Sequence, residues 1–321
     1  MFLNDFCFIN IMNNSIKEMI DKDKQKVIVD TQNGAILVGT FRDNSSSNIG
    51  IIMFPGFSEH RSSLDDISEK LSNYFKVWNF DVNGQGDSTG TLLDIMEMHE
   101  SVDYIAKNFK SYYGLKKMGG FGNSSGGMAI GITAAKDHSI LECICLTTTP
   151  AGLQDIVKWY MRGLLKIIPK FLVRYGTIIY DKKVSKKNEN YRNKSHVSFK
   201  TEHGYQPYAQ IGAARIPNHH QMLNTIKNAP RLDAYAQDIH QPILFIYGGE
   251  DKLNGFKHSK IPKKIRNMYN NVIKVGKDIL VVDNIDHGLN TKTKADDCLN
   301  QDPKYQFVKQ RIIDFFCKYL L

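Results

Sequence analysis

Cysteine is scarce in this 321-residue chain, and nothing in its placement pairs it. Cys7, Cys143, Cys145, Cys298 and Cys317 are odd in number and fall at no metal-ligand spacing. Cys143 and Cys145 alternate inside an apolar run, so they are expected as reduced thiols on a buried strand face. No phosphate-cradling loop and no metal-ligating cluster is present, so no metal and no other cofactor is expected. Internal repeats are missing too. No apolar run reaches the roughly 20 residues that a membrane-spanning helix needs. Residues 1–12 are apolar but interrupted by Asn4, Asp5 and Asn10, and they lack a basic flank and a small-residue cleavage site. The expectation is an N-terminal extension over 1–24 and a cytoplasmic protein.

A hydrophobic fraction of 42% and an aromatic fraction of 11% provide for a sizeable core. The net charge of +9 is concentrated. Between Lys158 and Lys200 there are twelve Lys/Arg against Asp181 and Glu189, which leaves the remainder close to neutral. A single basic segment speaks for a local anionic contact and against a nucleic-acid partner.

Strand signals begin with Gln25–Thr31 and Ala35–Phe41 around Asn33-Gly34, a hairpin pattern. Ile49–Phe54 is continuously apolar and ends at Pro55-Gly56, as befits a central parallel strand. A helix is predicted over Ser62–Tyr74, a strand over Lys76–Asp81 and a long amphipathic helix over Leu92–Phe109. Met118–Phe121 reads as a strand despite Gly119 and Gly120, which offer it no side chains to pack. A helix over Ser125–Ala135 and a buried strand over Ile140–Thr147 follow. From 151 to 232 this rhythm breaks into a helical, basic stretch. It resumes with strands Ile243–Tyr247 and Ile279–Asp283, a helix over Lys260–Tyr269 and a C-terminal helix over Tyr305–Leu320. The predicted architecture is a mostly parallel, doubly wound α/β sheet formed by 25–150 and 233–321. A helical cap, 151–232, is inserted after the sixth strand.

Gly122, Ser124 and Gly126 fit G-x-S-x-G, in which a serine sits on a sharp strand-to-helix turn. Small neighbours two residues either side let strand and helix pass close to it. The pattern alone decides little; order along the chain decides more. Strand Ile243–Tyr247 leads into Glu250-Asp251, and strand Ile279–Asp283 leads into Asp286-His287. Acid and base thus fall at carboxyl ends of strands, where open α/β sheets place their sites. Asp251 is the expected acid and His287 the expected base. Glu250, Asp283 and Asp286 are the competing carboxylates, and Asp251 also suits a cap of the segment after it.

With these residues the chain resembles the α/β-hydrolase superfamily, in its lysophospholipase, monoacylglycerol-lipase and serine-aminopeptidase-like branch. Phe54-Pro55-Gly56-Phe57-Ser58-Glu59-His60 resembles that branch's H-G-F-x-E-H oxyanion loop, and Asp81 to Ser88 its D-x-x-G-x-G-x-S turn. Two departures stand out: Pro55 replaces the usual histidine before Gly56, and Asn123 replaces the usual histidine before the serine. His60 and Asp87 are expected to be structural turn residues. The resemblance covers about 25–150 and 235–320, leaving the cap aside. It implies a Ser124–His287–Asp251 triad, with the backbone N–H groups of Phe57 and Ser125 as the oxyanion hole.

The implied activity is hydrolysis of a carboxylic ester, lipid or other, through an acyl-enzyme. A competing expectation is an acyltransferase or thioesterase using acyl-CoA or acyl-carrier thioesters. A silent binding module would have no chemical need to keep all three triad residues. Lys158, Arg162, Lys166, Lys170 and Arg174 recur every four residues among apolar ones. The expected partners are a small acyl ester and, at this basic face, an anionic membrane surface or an acidic carrier.

Overall fold

The structure is a computed structural model that describes residues 16–21, 24–57, 59–91, 94–156, 200–201, 204–205, 225–273, 276–287 and 303–321. Nine strands form one sheet: β1 (Ile16–Asp21), β2 (Lys24–Asp30), β3 (Ile36–Arg42), β4 (Ile49–Phe54), β5 (Lys76–Phe80), β6 (Lys117–Asn123), β7 (Cys143–Thr147), β8 (Ile243–Gly248) and β9 (Lys277–Val282). Their order is β1-β2-β3-β5-β4-β6-β7-β8-β9. β1, β2 and β3 run antiparallel, as do β3 and β5, and every pair from β5 to β9 is parallel.

Successive strand residues face opposite sides, so a continuous apolar run needs cover on both. In β4, Ile51 and Met53 enter one apolar layer while Ile52 and Phe54 enter the other. In β7, Cys143 and Cys145 join the first and Ile144 and Leu146 the second, which makes the two thiols core groups. Burial pushes both thiols up in pKa, so neither is a reactive thiolate. The first layer is closed by α1 (Asp65–Ser72) and α5 (Pro303–Leu320), the second by α2 (Ile95–Tyr112), α3 (Ser124–Lys136) and α4 (Lys263–Asn271).

The glycine-rich β6 is a strand because helices crowd it from both faces. A Cβ on Gly119 would lie 2.8 Å from Phe316 of α5, and one on Gly120 would lie 2.9 Å from Ile130 of α3. The missing side chains admit close helix packing beside Ser124, which outweighs low strand propensity.

Several predicted boundaries shift: the strand over Ile140–Thr147 starts at Cys143, and the helices over Leu92–Phe109 and Lys260–Tyr269 run Ile95–Tyr112 and Lys263–Asn271. The helix expected from Ser62 opens as a 3-10 turn, Arg61–Leu64, before α1. The stretch 1–24, expected as an extension, contributes β1, so the insert follows the seventh strand. Ile16-Lys17-Glu18-Met19-Ile20-Asp21 has no clean two-residue alternation; its place comes from backbone pairing with β2. The expected cap helices and basic face lie almost wholly outside the described residues. The two ends of that segment meet on the core: Arg231 Nη2 donates to Asp155 Oδ2 (2.9 Å) and Asp233 Oδ2 (2.7 Å), and Gln154 Nε2 donates to the carbonyl of Ala229 (2.6 Å).

Where α2 crosses α3, buried His99 Nδ1 meets Thr133 Oγ1 at 2.9 Å. Thr133 itself donates to the Ala129 carbonyl (2.9 Å), so its hydroxyl accepts the imidazole N–H. Burial first, then the charge of Lys136, lowers the His99 pKa from 6.5 to about 4. The folded state therefore favours neutral His99. Its contribution to stability is complete above pH 6.5 and is lost as pH falls towards 4. His99→Gln should flatten the fall of melting temperature between pH 7 and pH 4.5; parallel curves for variant and wild type would refute this account.

Candidate active site

β6 ends at Asn123 and α3 begins at once with Ser124, whose φ of +48° marks a serine in the left-handed region. That conformation costs a non-glycine residue roughly 1–2 kcal/mol and is what turns the hydroxyl out of the strand-helix corner. The flanking glycines are demanded by contact. A Cβ on Gly126 would stand 2.4 Å from the carbonyl oxygens of Phe54 and Pro55, and one on Gly122 would stand 2.5 Å from Gly127 Cα. Strand, helix and the loop after β4 thus converge on Ser124.

Ser124 Oγ lies 3.0 Å from His287 Nε2, and His287 Nδ1 lies 2.9 Å from Asp251 Oδ1. A carboxylate accepts only, so Nδ1 carries the proton and Nε2 is left free to accept from the serine. Asp251 is fully buried. Its charge is met by three donors: His287, the Asn254 backbone N–H (3.0 Å, to Oδ1) and Asn254 Nδ2 (2.8 Å, to Oδ2). Asp251 therefore both caps its own loop and holds the imidazole. Two of the competing carboxylates are directed elsewhere: Glu250 pairs with His258 (3.4 Å), and Asp283 accepts from Ser259. Near Asp251, burial and the Asp251 charge raise the Tyr247 pKa, and its hydroxyl donates to the Thr149 carbonyl at 2.7 Å.

The groups that join Asp251, the elbow and the loop were only partly legible in sequence: Glu59 and Asn123 lay in the motifs, while Thr147, Thr148 and Asn254 were missed. Asn254 Nδ2 also donates to the Thr148 carbonyl (2.6 Å). Thr148, with φ +46°, is a strained β-branched residue just beyond β7. Its hydroxyl donates to Asn123 Oδ1 (2.8 Å), as does that of Thr147 (2.9 Å). Asn123 Nδ2 donates to both carboxylate oxygens of Glu59 (2.9 Å each), and Glu59 Oε2 accepts the Gly56 N–H (2.7 Å). The loop is close enough that a Cβ on Gly56 would meet Ser124 Cβ at 3.0 Å. For the missed residues, only the Asp251-x-x-Asn254 spacing, apt for a side-chain cap, offered a sequence signal. Phe57, half-exposed, sits in the loop after β4, and buried Ser125 follows Ser124 in the first turn of α3.

His60, Asp81 and Asp87 converge closely enough to invite a metal reading. The cationic group among them is Arg61, whose Nη1 is paired with Asp81 and whose Nη2 lies 3.1 Å from Asp87. Burial lowers the His60 pKa, and Asp81 at 3.5 Å only partly opposes it. These groups brace the turn after β5, in keeping with structural roles for His60 and Asp87.

A parallel sheet with β6 leading into a strained serine, and late strands delivering a carboxylate and an imidazole, defines an α/β-hydrolase. More particularly, the chain belongs to the serine aminopeptidase S33 family, whose model matches residues 46–293. No curated protein matches it at a significant level in sequence. Among solved structures it is similar to an esterase from Pyrococcus furiosus, with TM-score 0.61 and 14% identity over 93% of this chain and 92% of the other. A thermophilic esterase from Thermogutta terrifontis, with malate bound, gives 0.62 and 16% over 92% and 100%. A membrane phospholipase A described as a bacterial virulence factor gives 0.62 and 15% over 92% and 87%. At these identities the likeness establishes the fold, and the family establishes a hydrolase.

Proposed function

We propose that the protein is a serine hydrolase that cleaves a carboxylic ester through an acyl-enzyme, with Ser124 as nucleophile, His287 as base and Asp251 as its orienting acid. The observation that carries this reading is the pair of contacts through His287, 3.0 Å to Ser124 and 2.9 Å to Asp251, made by a serine held at φ +48°. His287 Nε2 takes the Ser124 proton as Oγ attacks the ester carbonyl. The oxyanion forms against the backbone N–H groups of Phe57 and Ser125, where one donor is worth about 2.7–4 kcal/mol in the transition state. The imidazolium then protonates the leaving alkoxide, and water, activated by the same histidine, releases the acid. Transfer to another acceptor would run through the same acyl-enzyme, so the nature of the product separates esterase from acyltransferase. The esterase names of two similar structures agree with this reading.

Treatment with a fluorophosphonate probe should add one label per chain, measured by intact mass, and place it on the peptide that contains Ser124. Absence of a label on folded wild-type protein would remove the activated serine and the proposal with it.

A further inference from the structure

We infer that Asn123 is a positioning residue for the oxyanion loop, acting through the direction of its hydrogen bond to Glu59. The inference rests on the serine-hydrolase reading above. Glu59 accepts only, so the amide face towards it must be the NH2, and Asn123 Oδ1 must then face the Thr147 and Thr148 hydroxyls. This orientation is the one that satisfies every partner. It ties the residue before the nucleophile to the loop carrying Phe57, because Glu59 holds the Gly56 N–H on the same carboxylate.

The contacts also form one path around the nucleophile. It runs from Gly56 through Glu59, Asn123, Thr148 and Asn254 to Asp251, and from there through His287 to Ser124. The loop and the triad residues are thereby joined by one chain of hydrogen bonds. Two features show that the arrangement is specific. Thr148 keeps a strained backbone while its hydroxyl points at Asn123. The Glu59 carboxylate, which would oppose an oxyanion nearby, is engaged by the Asn123 amide and the Gly56 N–H. Breaking the Asn123–Glu59 bond frees the loop to move relative to Ser124, and a misplacement of about 1 Å costs on the order of 100-fold in rate.

The test is a polarity swap. Asn123→Asp keeps the shape and removes the donor, so kcat for a short-chain ester should fall about 100-fold with KM little changed. Phosphonylation of Ser124 by the fluorophosphonate should slow in parallel. The double variant Glu59→Gln with Asn123→Asp restores the bond in reverse, since the new amide donates to the new carboxylate. It should regain activity to within about tenfold of wild type, a recovery that loss of packing alone does not explain. Wild-type kcat in Asn123→Asp, or a double variant no faster than that single one, overturns the inference. If Asn123→Asp fails to fold, Asn123→Ala decides: a kcat loss of tenfold or more supports the role, and an unchanged kcat refutes it. Labelling of wild-type Ser124 separates the two levels, because its absence overturns the serine-hydrolase reading first.

Discussion

Ser124→Ala should lower ester hydrolysis by about 10⁶-fold in kcat, the scale on which a triad serine acts together with its base. The change is clean because alanine inherits the same φ of +48° and the same corner between Gly122 and Gly126. Only the Oγ that meets His287 at 3.0 Å is removed. Melting temperature should stay within a few degrees of wild type. Ser124→Gly should be equally inactive yet more stable by roughly 1–2 kcal/mol, since glycine adopts positive φ without the Cβ strain. Opposite signs in activity and stability would show that the strain serves exposure of the hydroxyl. Residual ester hydrolysis near the wild-type rate in either variant would move the chemistry to another residue.

The second large effect is expected at Asp251. Asp251→Asn should cost about 10⁴-fold in kcat with substrate binding largely kept. All three neighbours of this carboxylate donate to it: His287 Nδ1, the Asn254 N–H and Asn254 Nδ2. An amide has one accepting atom, so its NH2 must face one side. Turned to His287, it makes Nδ1 an acceptor and places the proton on Nε2, which then cannot take a proton from Ser124. Turned to Asn254, it opposes a group that the Thr148 carbonyl also holds at 2.6 Å. Either choice breaks a buried bond, at about 1.5–3 kcal/mol for one to a charged group. Rates measured with a short-chain ester, beside urea unfolding midpoints, read both effects; wild-type kcat would transfer the acid's role elsewhere.

Much of this arrangement was legible without coordinates. The β4, β7 and β8 runs announce central strands because strands buried on both faces can be apolar throughout. Gly122-x-Ser124-x-Gly126 announces a tight corner because only small residues let a helix turn back on its strand. Strand ends deliver side chains to one edge, and the order serine, acid, histidine is the one that the resemblance implies. By contrast, β1 carries no alternation to read, and the Glu59–Asn123–Thr148–Asn254 path joins residues far apart in sequence. Asn, Thr and Glu are ordinary loop residues, and nothing local says which will meet.

What the sequence determined by itself is therefore the list of parts: the sheet's core strands, the corner that presents Ser124, and the positions of Asp251 and His287 after late strands. These depend on periodicity and steric demand, which act between near neighbours. Tertiary structure alone decided that Asp251 rather than Glu250 or Asp283 faces His287, that Asn123 turns its amide to Glu59, and that α3 and α5 pack close over Gly119 and Gly120. Those outcomes depend on directional hydrogen bonds and close packing between segments brought together by the sheet, where a fraction of an ångström separates a bond from a clash.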